Sequence, residues 1–223
     1  MKKINHYVLR GTIELLSGTR VGGSDDVLQI GGTDLTCIKD PTTGKPYIPG
    51  SSLKGRMRSC LEKHHGKVNR EKPCGCAAVD CPICRIFGPH MKTDHDLGPT
   101  RIIVRDAPLV SGEFAIENKT ESVNRRDTGA AQHPRTVERV APGAKFALEI
   151  AMQEYDTDAS FKYKDADGRE VSGHQALWEV VMHALDLVEH TGIGAGTGKG
   201  YGKVKIETQP IEKVTRSRRA TFA

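Results

Sequence analysis

Four cysteines within eleven residues, in the segment CGCAAVDCPIC, have the residue type and spacing of a metal site. Four thiolates favour zinc, and an all-thiolate tetrahedral site is structural because it leaves no open position for a reacting water. Sulfur ligands at this spacing do not exclude an iron–sulfur cluster, and simple reduced thiols are a further alternative. A flanking histidine could also replace one cysteine as a ligand. The candidate ligands are Cys74, Cys76, Cys81 and Cys84, flanked by His64, His65, His90 and His95.

A glycine-rich segment, GIGAGTGKGYG at residues 192–202, carries six glycines at alternate positions. Glycine is favoured where the backbone needs a conformation, or an approach distance, that a Cβ atom would forbid. The segment is not a Walker loop, because Ile193 replaces the first glycine and Gly200 replaces the serine or threonine. A row of peptide N–H groups beside Lys199 suits a chain of phosphates. A flexible hinge is the alternative, since glycine-rich loops are often only linkers.

Three aspartates, Asp25, Asp26 and Asp34, lie in a turn-rich segment at residues 17–34. A carboxylate on a glycine-rich loop near bound phosphates can hold Mg²⁺, which needs only one or two protein ligands. Such an ion can polarise a phosphate and orient a nucleophile. Aspartate beside glycine is also ordinary turn chemistry, and composition alone favours that simpler interpretation.

The elements that must position these groups begin with a strand at residues 6–16, where apolar residues alternate on one face. Gly11 falls on that face and predicts either a β-bulge or the close approach of another backbone. Helical spacing predicts a helix from Ser52 to His64 with a serine cap. Its cations and the free N–H groups at its start would make a seat for phosphate, with a solvated basic face as the alternative. These cations are Lys54, Arg56 and Arg58, of which Lys54 and Arg58 share a face.

Two long segments separate the remaining elements: an insertion at residues 66–98, which contains the cysteines, and a polar, basic arm at residues 107–144. We expect a metal ion to fold an insertion that itself buries little apolar surface. A Ser-x-x-Gln capping box at residues 172–175 predicts the start of a second helix, and Gly192 predicts its end. The remaining predicted elements are strands at residues 101–105, 145–152 and 203–207.

The predicted order of strand, helix, strand, strand, helix, strand is typical of a ferredoxin-like domain of the α+β class. The net charge of +5 indicates an anionic partner, because charge reports on association rather than on fold. A basic tail at residues 208–223 could help to hold nucleic acid. No apolar run reaches membrane-spanning length and no signal peptide is evident, so we expect no membrane partner and a cytoplasmic location.

Several motifs together resemble the RAMP superfamily. The resemblance is strongest to the repeated backbone subunit of type III-A CRISPR effector complexes, and it covers nearly the whole chain. It implies a single RAMP domain over residues 1–223, with an RRM-like core and a thumb at the 107–144 arm. Copies would stack along CRISPR RNA as a helical filament with other effector subunits. The motifs are VGGSDD at 21–26, IGGTD at 30–34, IKDPTTGKPYIPGSSLKGRMR at 38–58, RDTGAA…R…ER at 126–139 and GTGKGYGKV at 196–204.

The resemblance also implies an activity. Asp34 matches the aspartate that supports cleavage of complementary target RNA with Mg²⁺ or Mn²⁺, and a ribose 2′-hydroxyl would be the nucleophile. Arg20 stands where a histidine is often found in related subunits, which argues against a general base at that position. The residues implied in RNA binding are Arg20, Ser51, Ser52, Lys54, Arg56, Arg58, Arg125, Arg126, Arg135, Arg139, Gly196, Gly198, Lys199, Gly200 and Tyr201.

Two other functions stay open at this point. The same scaffold could bind RNA without cutting it, if Asp34 is not poised for catalysis. A stand-alone RAMP endoribonuclease that processes the guide precursor is the second alternative. That enzyme would prefer a histidine general acid and base near its loops, whereas the histidines of this chain cluster around the cysteines.

Overall fold

The computed structural model describes residues 1–22, 35–68, 72–92, 94–110 and 114–215. Eleven strands and three α-helices are assigned within these ranges. In chain order they are β1 (Lys3–Leu15), β2 (Tyr47–Ile48), α1 (Gly50–His64), α2 (Pro82–Phe87), β3 (Ile102–Val104), β4 (Ala107–Pro108), β5 (Ile116–Asn124), β6 (Ala131–Val140), β7 (Lys145–Tyr155), β8 (Lys162–Lys164), β9 (Glu170–Ser172), α3 (Gly173–Thr191), β10 (Val204–Thr208) and β11 (Glu212–Lys213).

The central sheet has the order β10-β1-β7-β3, and each neighbouring pair is antiparallel. With the small strands set aside, this is the strand order 4-1-3-2 of a split βαβ domain with a helix in each crossover. The predicted α+β, ferredoxin-like core is therefore confirmed. The sheet also gains β11, which pairs with β1 beyond the end of β10. Part of the predicted tail thus belongs to the sheet, and residues 216–223 lie outside the described ranges.

One face of β1 carries the core, as its alternating pattern predicts. Gly11 lies on the same face, and an added Cβ there would stand 2.2 Å from the carbonyl oxygen of Glu207 on β10. The gap at Gly11 is therefore the close approach of a neighbouring backbone. The buried side chains of this face are Tyr7, Leu9, Ile13 and Leu15.

Both predicted helices form, but neither has the predicted side-chain cap. α1 begins at Gly50 after Pro49, and no side chain caps it. The Gly50 N–H donates instead to Asp106 Oδ1 at 2.7 Å, so a carboxylate from the β3–β4 connection replaces the serine. α3 follows Ser172, the last residue of β9, and the Ser172 side chain makes no capping hydrogen bond. The helix ends at Gly192 with φ 77°, as predicted.

The cysteine-containing insertion buries more apolar surface than its sequence indicates. Its short helix α2 contacts both α1 and α3, and Ile83 and Ile86 are fully buried there. Leu97 is buried in the same core. A six-residue helix is too short to show a helical repeat in the sequence. The expectation that this insertion buries little apolar surface was therefore wrong.

The predicted arm at residues 107–144 contains a two-stranded hairpin, β5–β6. Its far end, around Arg125 to Ala130, is exposed. Its base is not, because Val137 and Val140 are buried against the domain. A second, shorter hairpin, β8–β9, turns at residues 165–168.

Candidate functional site

The glycine-rich loop at residues 192–202 is held mainly by contacts with its own protein. An added Cβ at Gly202 would lie 1.9 Å from the Ile193 carbonyl oxygen, and one at Gly194 would lie 2.3 Å from the Arg20 carbonyl oxygen. Both glycines also have positive φ, at 73° and 77°. The loop therefore needs these glycines in order to fold back on itself and on the chain around Arg20.

Gly198 differs from the other loop glycines. It does not have positive φ, and nothing lies within 4 Å of a Cβ built on it. Neither backbone strain nor crowding within the described residues therefore explains this glycine. It is exposed beside the equally exposed Lys199, where an external backbone could approach closely.

The predicted row of exposed amides is only partly present. Several loop N–H groups donate inside the protein, among them Ile193 to the Gly202 carbonyl at 2.9 Å and Ala195 to the Arg20 carbonyl at 2.9 Å. The backbone N–H of Lys199 donates to the Gly196 carbonyl within a 3-10 turn at Thr197–Lys199. In the described part of the chain, the amides without a protein acceptor at the start of this turn are those of Gly196, Thr197 and Gly198.

The glycine loop and the β5–β6 hairpin meet at one carboxylate, that of Glu121. Lys199 Nζ donates to Glu121 Oε2 at 2.9 Å, and an Arg135 guanidinium nitrogen donates to the same oxygen at 2.9 Å. The hydroxyl of the buried Tyr201 donates to Oε1. These hydrogen bonds, with that from Tyr201 contributing most, lower the pKa of Glu121 to about 2. The sequence analysis did not single out Glu121, since its partners lie 14 to 80 residues away.

Two further cations flank the Tyr201 ring. The Arg139 guanidinium lies 4.3 Å and the Lys119 ammonium 4.5 Å from the ring centroid. Arg139 also pairs with Glu117 at 2.6 Å. The Tyr201 ring therefore makes cation–π contacts with Arg139 and Lys119, and it is not an exposed platform on which a base could stack.

The three cations predicted as a phosphate seat on α1 all donate to protein acceptors. Arg56 reaches the carbonyl oxygens of Thr191 and Gly192, each at 2.8 Å, and so fixes the start of the glycine loop. Lys54 Nζ donates to the Ile102 carbonyl at 3.1 Å, and desolvation lowers its pKa. Arg58 donates to Glu62 and, at 2.7 Å, to the Cys74 carbonyl. The exposed polar groups at the start of this helix are Ser51 and Ser52.

The remaining predicted contacts occupy two places. Arg20 pairs with Ala195 of the glycine loop, and its Nε donates to the Thr36 carbonyl at 3.3 Å. Arg125 and Arg126 lie at the exposed hairpin tip, and Arg125 is paired with Asp127 at 2.5 Å. The structure therefore brings Arg20, Arg135, Arg139 and the glycine loop together and leaves Arg125 and Arg126 at a distance along the hairpin.

The candidate catalytic residue, Asp34, lies outside the described residues, as do Asp25 and Asp26. The described chain on either side is held by backbone pairing. Arg20 pairs with Ala195 of the glycine loop, Gly22 pairs with Cys37, and Leu35 pairs with Val137 at the hairpin base. The described chain before the aspartates thus contacts the glycine loop, and the described chain after them contacts β6.

The four predicted cysteines converge as a metal site. Their Sγ atoms lie within 4.8 Å of one another, and four of the six separations are 3.6–3.9 Å. A tetrahedron with Zn–S bonds of about 2.3 Å has edges of about 3.8 Å. The donor set therefore fits a tetrathiolate zinc ion, and in the described ranges no histidine belongs to the group. The hydrogen bond between Cys81 and Cys84 lowers the pKa of Cys81 to about 5 and raises that of Cys84.

Glu62 and Arg58 support this centre from α1. Glu62 Oε1 accepts the Cys74 N–H at 2.7 Å and also pairs with Arg58 at 2.9 Å. Arg58, which was predicted to bind phosphate, thus helps to position Cys74.

Comparison with known proteins identifies the family. The model of the RAMP superfamily matches residues 12–205. The chain belongs to the RAMP superfamily. A relative named "CRISPR system Cms endoribonuclease Csm3", from Methanothermobacter thermautotrophicus, is 36% identical, and the match covers 95% of this chain and 90% of the relative. A protein of the same name from Streptococcus thermophilus is 32% identical over 87% of this chain and 84% of the relative.

Two solved structures share the fold of this RAMP chain. One is the Csm3–Csm4 subcomplex of the type III-A CRISPR-Cas interference complex, with a TM-score of 0.54 and 27% identity, covering 95% of this chain and 79% of the other. The second is the type III-B Cmr-beta complex bound to cognate target RNA, with a TM-score of 0.56 and 20% identity. The match covers 94% of this chain and 61% of the other, and at this identity it supports the fold alone. Within the described ranges, no helix has the length and apolar character needed to cross a membrane.

Proposed function

We propose that this chain is a CRISPR RNA-binding backbone subunit of a type III effector complex, and that it cleaves complementary target RNA at regular intervals. The observation that carries the proposal is Gly198, a glycine that the described fold does not require, exposed beside Lys199. An RNA backbone that lies against the loop at this position would explain why residue 198 is a glycine. Relatives that cover most of the chain and are named as Csm3 endoribonucleases support the same assignment.

RNA is held through its backbone in this proposal. The cations around the loop, including Arg20, Arg139 and Lys199, supply charge without reading bases. Sequence specificity comes from pairing between guide and target. The β5–β6 hairpin is the thumb, and its exposed tip, with Arg125 and Arg126, reaches between bases.

Cleavage depends on Asp34. The 2′-hydroxyl of the target ribose attacks the adjacent phosphorus, the bond to the 5′ oxygen breaks, and the products carry a 2′,3′-cyclic phosphate and a 5′-hydroxyl. Asp34 would hold the target backbone in line for this attack, and its described neighbour Leu35 pairs with Val137 of β6. A bound Mg²⁺ or Mn²⁺ would supply charge stabilisation at the phosphate.

The cysteine cluster holds a structural zinc ion in this proposal, because the sulfur separations match a tetrathiolate site. Partners are CRISPR RNA, complementary target RNA, further copies of the chain in a helical filament and other type III subunits. The similarity to a Csm3–Csm4 subcomplex supports association with such subunits. We place the assembly in the cytoplasm.

The deciding experiment compares target cleavage by the reconstituted complex containing wild type, Asp34→Ala or Asp167→Ala. Asp167 is a matched control, an exposed aspartate at the β8–β9 turn. We expect regularly spaced, metal-dependent cuts with wild type and Asp167→Ala, and retained binding without cuts with Asp34→Ala. Tight binding without cuts in all three would instead favour the non-catalytic scaffold. Cleavage of repeat RNA by the isolated chain would favour the precursor-processing enzyme.

A further inference from the structure

Glu121 sits at the centre of a set of donors that suits an anion. Its side chain is 13% exposed, whereas those of Lys199 and Arg135 are 55% and 50% exposed. The two cations and the Tyr201 hydroxyl all direct hydrogen-bond donors at its two oxygens. The carboxylate is thus enclosed by two cations that reach solvent and by the buried Tyr201.

The chemistry of these donors matches a phosphodiester as well as a carboxylate. Lysine supplies a compact positive charge, and arginine supplies a planar set of N–H donors that fits either anion. A phenolic hydroxyl donates to both. The carboxylate stays ionised well below neutral pH, because its donors hold the pKa of Glu121 at about 2.

The donors come from both sides of the proposed RNA path. Tyr201 and Lys199 belong to the glycine loop, and Arg135 belongs to β6 of the hairpin. Glu121 lies on β5, opposite Arg135 in the strand register. Lys199 immediately follows Gly198, the open position on the loop. An anion at this place would therefore contact the loop and the thumb together.

We infer that Lys199, Arg135 and Tyr201 form a phosphate-binding site for the RNA backbone, and that the Glu121 carboxylate fills this site until RNA displaces it. The inference rests on the proposed function, since it names one phosphate site within it. Binding then exchanges one anion for another at the loop. In the free protein Glu121 latches the hairpin to the loop, and the bound phosphate takes the place of this latch when RNA binds.

The exchange of the Glu121 carboxylate for an RNA phosphate affects how strongly the RNA affinity depends on salt concentration. The counterions in question are released from RNA when protein cations neutralise its phosphates, and for single strands each neutralised phosphate contributes about −0.7 to the slope of log K against log salt. In wild type the displaced Glu121 carboxylate stays beside the site and offsets one positive charge there. Once this carboxylate is removed, Lys199 and Arg135 neutralise the bound phosphate in full, and the slope becomes steeper.

The test measures binding of a labelled single-stranded RNA to the full-length chain by fluorescence anisotropy at several KCl concentrations. Glu121→Gln keeps the shape of the side chain and removes its charge. Glu170→Gln is the matched control, because Glu170 pairs with Lys162 at 2.7 Å on the separate β8–β9 hairpin. Circular dichroism checks that each variant is folded, and Glu121→Ala provides a second variant at the same site.

We expect Glu121→Gln to bind RNA on the order of tenfold more tightly at low salt, with a slope steeper by about 0.7, corresponding to one additional neutralised phosphate. Glu121→Ala should show the same two changes, and Glu170→Gln should keep the wild-type slope. Equal or weaker binding by both Glu121 variants overturns the inference and makes Glu121 a permanent tie between hairpin and loop. If neither wild type nor the Glu121 variants bind RNA, the proposed function fails as well. RNA binding by the variants alone would support the latch most strongly.

Discussion

Arg101 and Asp158 face each other through two hydrogen bonds of 2.7 Å, and both side chains are fully buried. Asp158 also accepts from the buried Arg85 of α2 at 3.3 Å. The edge of the central sheet, the polar connection after β7 and the cysteine-containing insertion therefore share one buried carboxylate. Two cations around one anion leave an uncompensated charge if the anion is lost.

Asp158→Asn should destabilise the protein by about 3–5 kcal/mol, because it leaves two buried guanidinium groups without their counter-charge. Urea denaturation of the purified chain measures this free energy of unfolding. Asp167→Asn, an exposed partner of Arg169, is the control and should cost less than about 1 kcal/mol. A buried aspartate whose substitution costs no more than the control would contradict this view of the cluster.

Two loop glycines should behave oppositely on substitution. Gly202→Ala forces a Cβ against the Ile193 carbonyl at positive φ, and we expect a loss of stability of at least about 1 kcal/mol. Gly198→Ala has space and an unstrained backbone, so its melting temperature should stay at the wild-type value or rise slightly. RNA affinity should nevertheless fall for Gly198→Ala, because the methyl group holds the RNA backbone away.

Thermal melts and anisotropy on both glycine variants separate the two roles. Unchanged RNA affinity in Gly198→Ala would remove the main support for the glycine loop as an RNA-binding surface. A wild-type melting temperature in Gly202→Ala would show that the loop relaxes around the added methyl group.

Removal of the metal should affect the whole domain. Cys84→Ser should reduce the zinc content from about one ion per chain towards zero and lower the melting temperature, because α2 packs in the core between α1 and α3. Elemental analysis and circular dichroism give the two readouts. Cys60→Ala, a buried cysteine outside the cluster, should retain the metal. Zinc retained by Cys84→Ser would rule out the four-sulfur site.

Stability should fall as the pH drops below about 6.5. The Tyr163 hydroxyl lies 2.8 Å from His183 Nδ1 and 3.0 Å from His65 Nε2. Desolvation, followed by the charge of His64, lowers the pKa of both His65 and His183 below the ordinary 6.5. The folded state then binds fewer protons than the unfolded state between the lowered pKa and 6.5, so stability is complete above this window and is lost as pH falls through it.

Urea midpoints at pH 7.5, 6.5 and 5.5 test this pH dependence. His183→Gln should flatten it, because one of the two shifted groups is gone. Stability that rises on acidification would contradict the assigned direction. The groups that face the pair are His64, Tyr163, Glu179 and Asp186.

Patterns that extend over many residues were predictable from the sequence. The alternation of apolar residues in β1 and their helical spacing in α3 each repeat a local rule several times, and both patterns are present in the structure. The end of α3 follows from a single glycine, Gly192, at the helix terminus. The cysteine cluster was predictable for a related reason, since its ligands are close in the sequence.

Features that depend on distant partners were not predictable. Arg101 begins the strand predicted at residues 101–105, and the sequence does not show that it is buried against a carboxylate 57 residues away. Arg56 was expected to bind phosphate, yet it donates to carbonyl oxygens 135 and 136 residues away. Charge in a sequence predicts exposure unless a partner of opposite sign is known, and a single sequence does not pair residues at such separations.

The position of α2 limits how this protein can be rearranged. Ile83 and Ile86 fill space between the two long helices, and Arg85 of the same helix is one of the two guanidinium partners of Asp158. Excision of residues 66–98, or their transfer to another scaffold as a portable zinc module, would therefore open a hole in the donor and remove one partner of a buried carboxylate. A RAMP protein without this segment must fill the same volume with other apolar side chains. The insertion is an addition in sequence but a structural component of the domain.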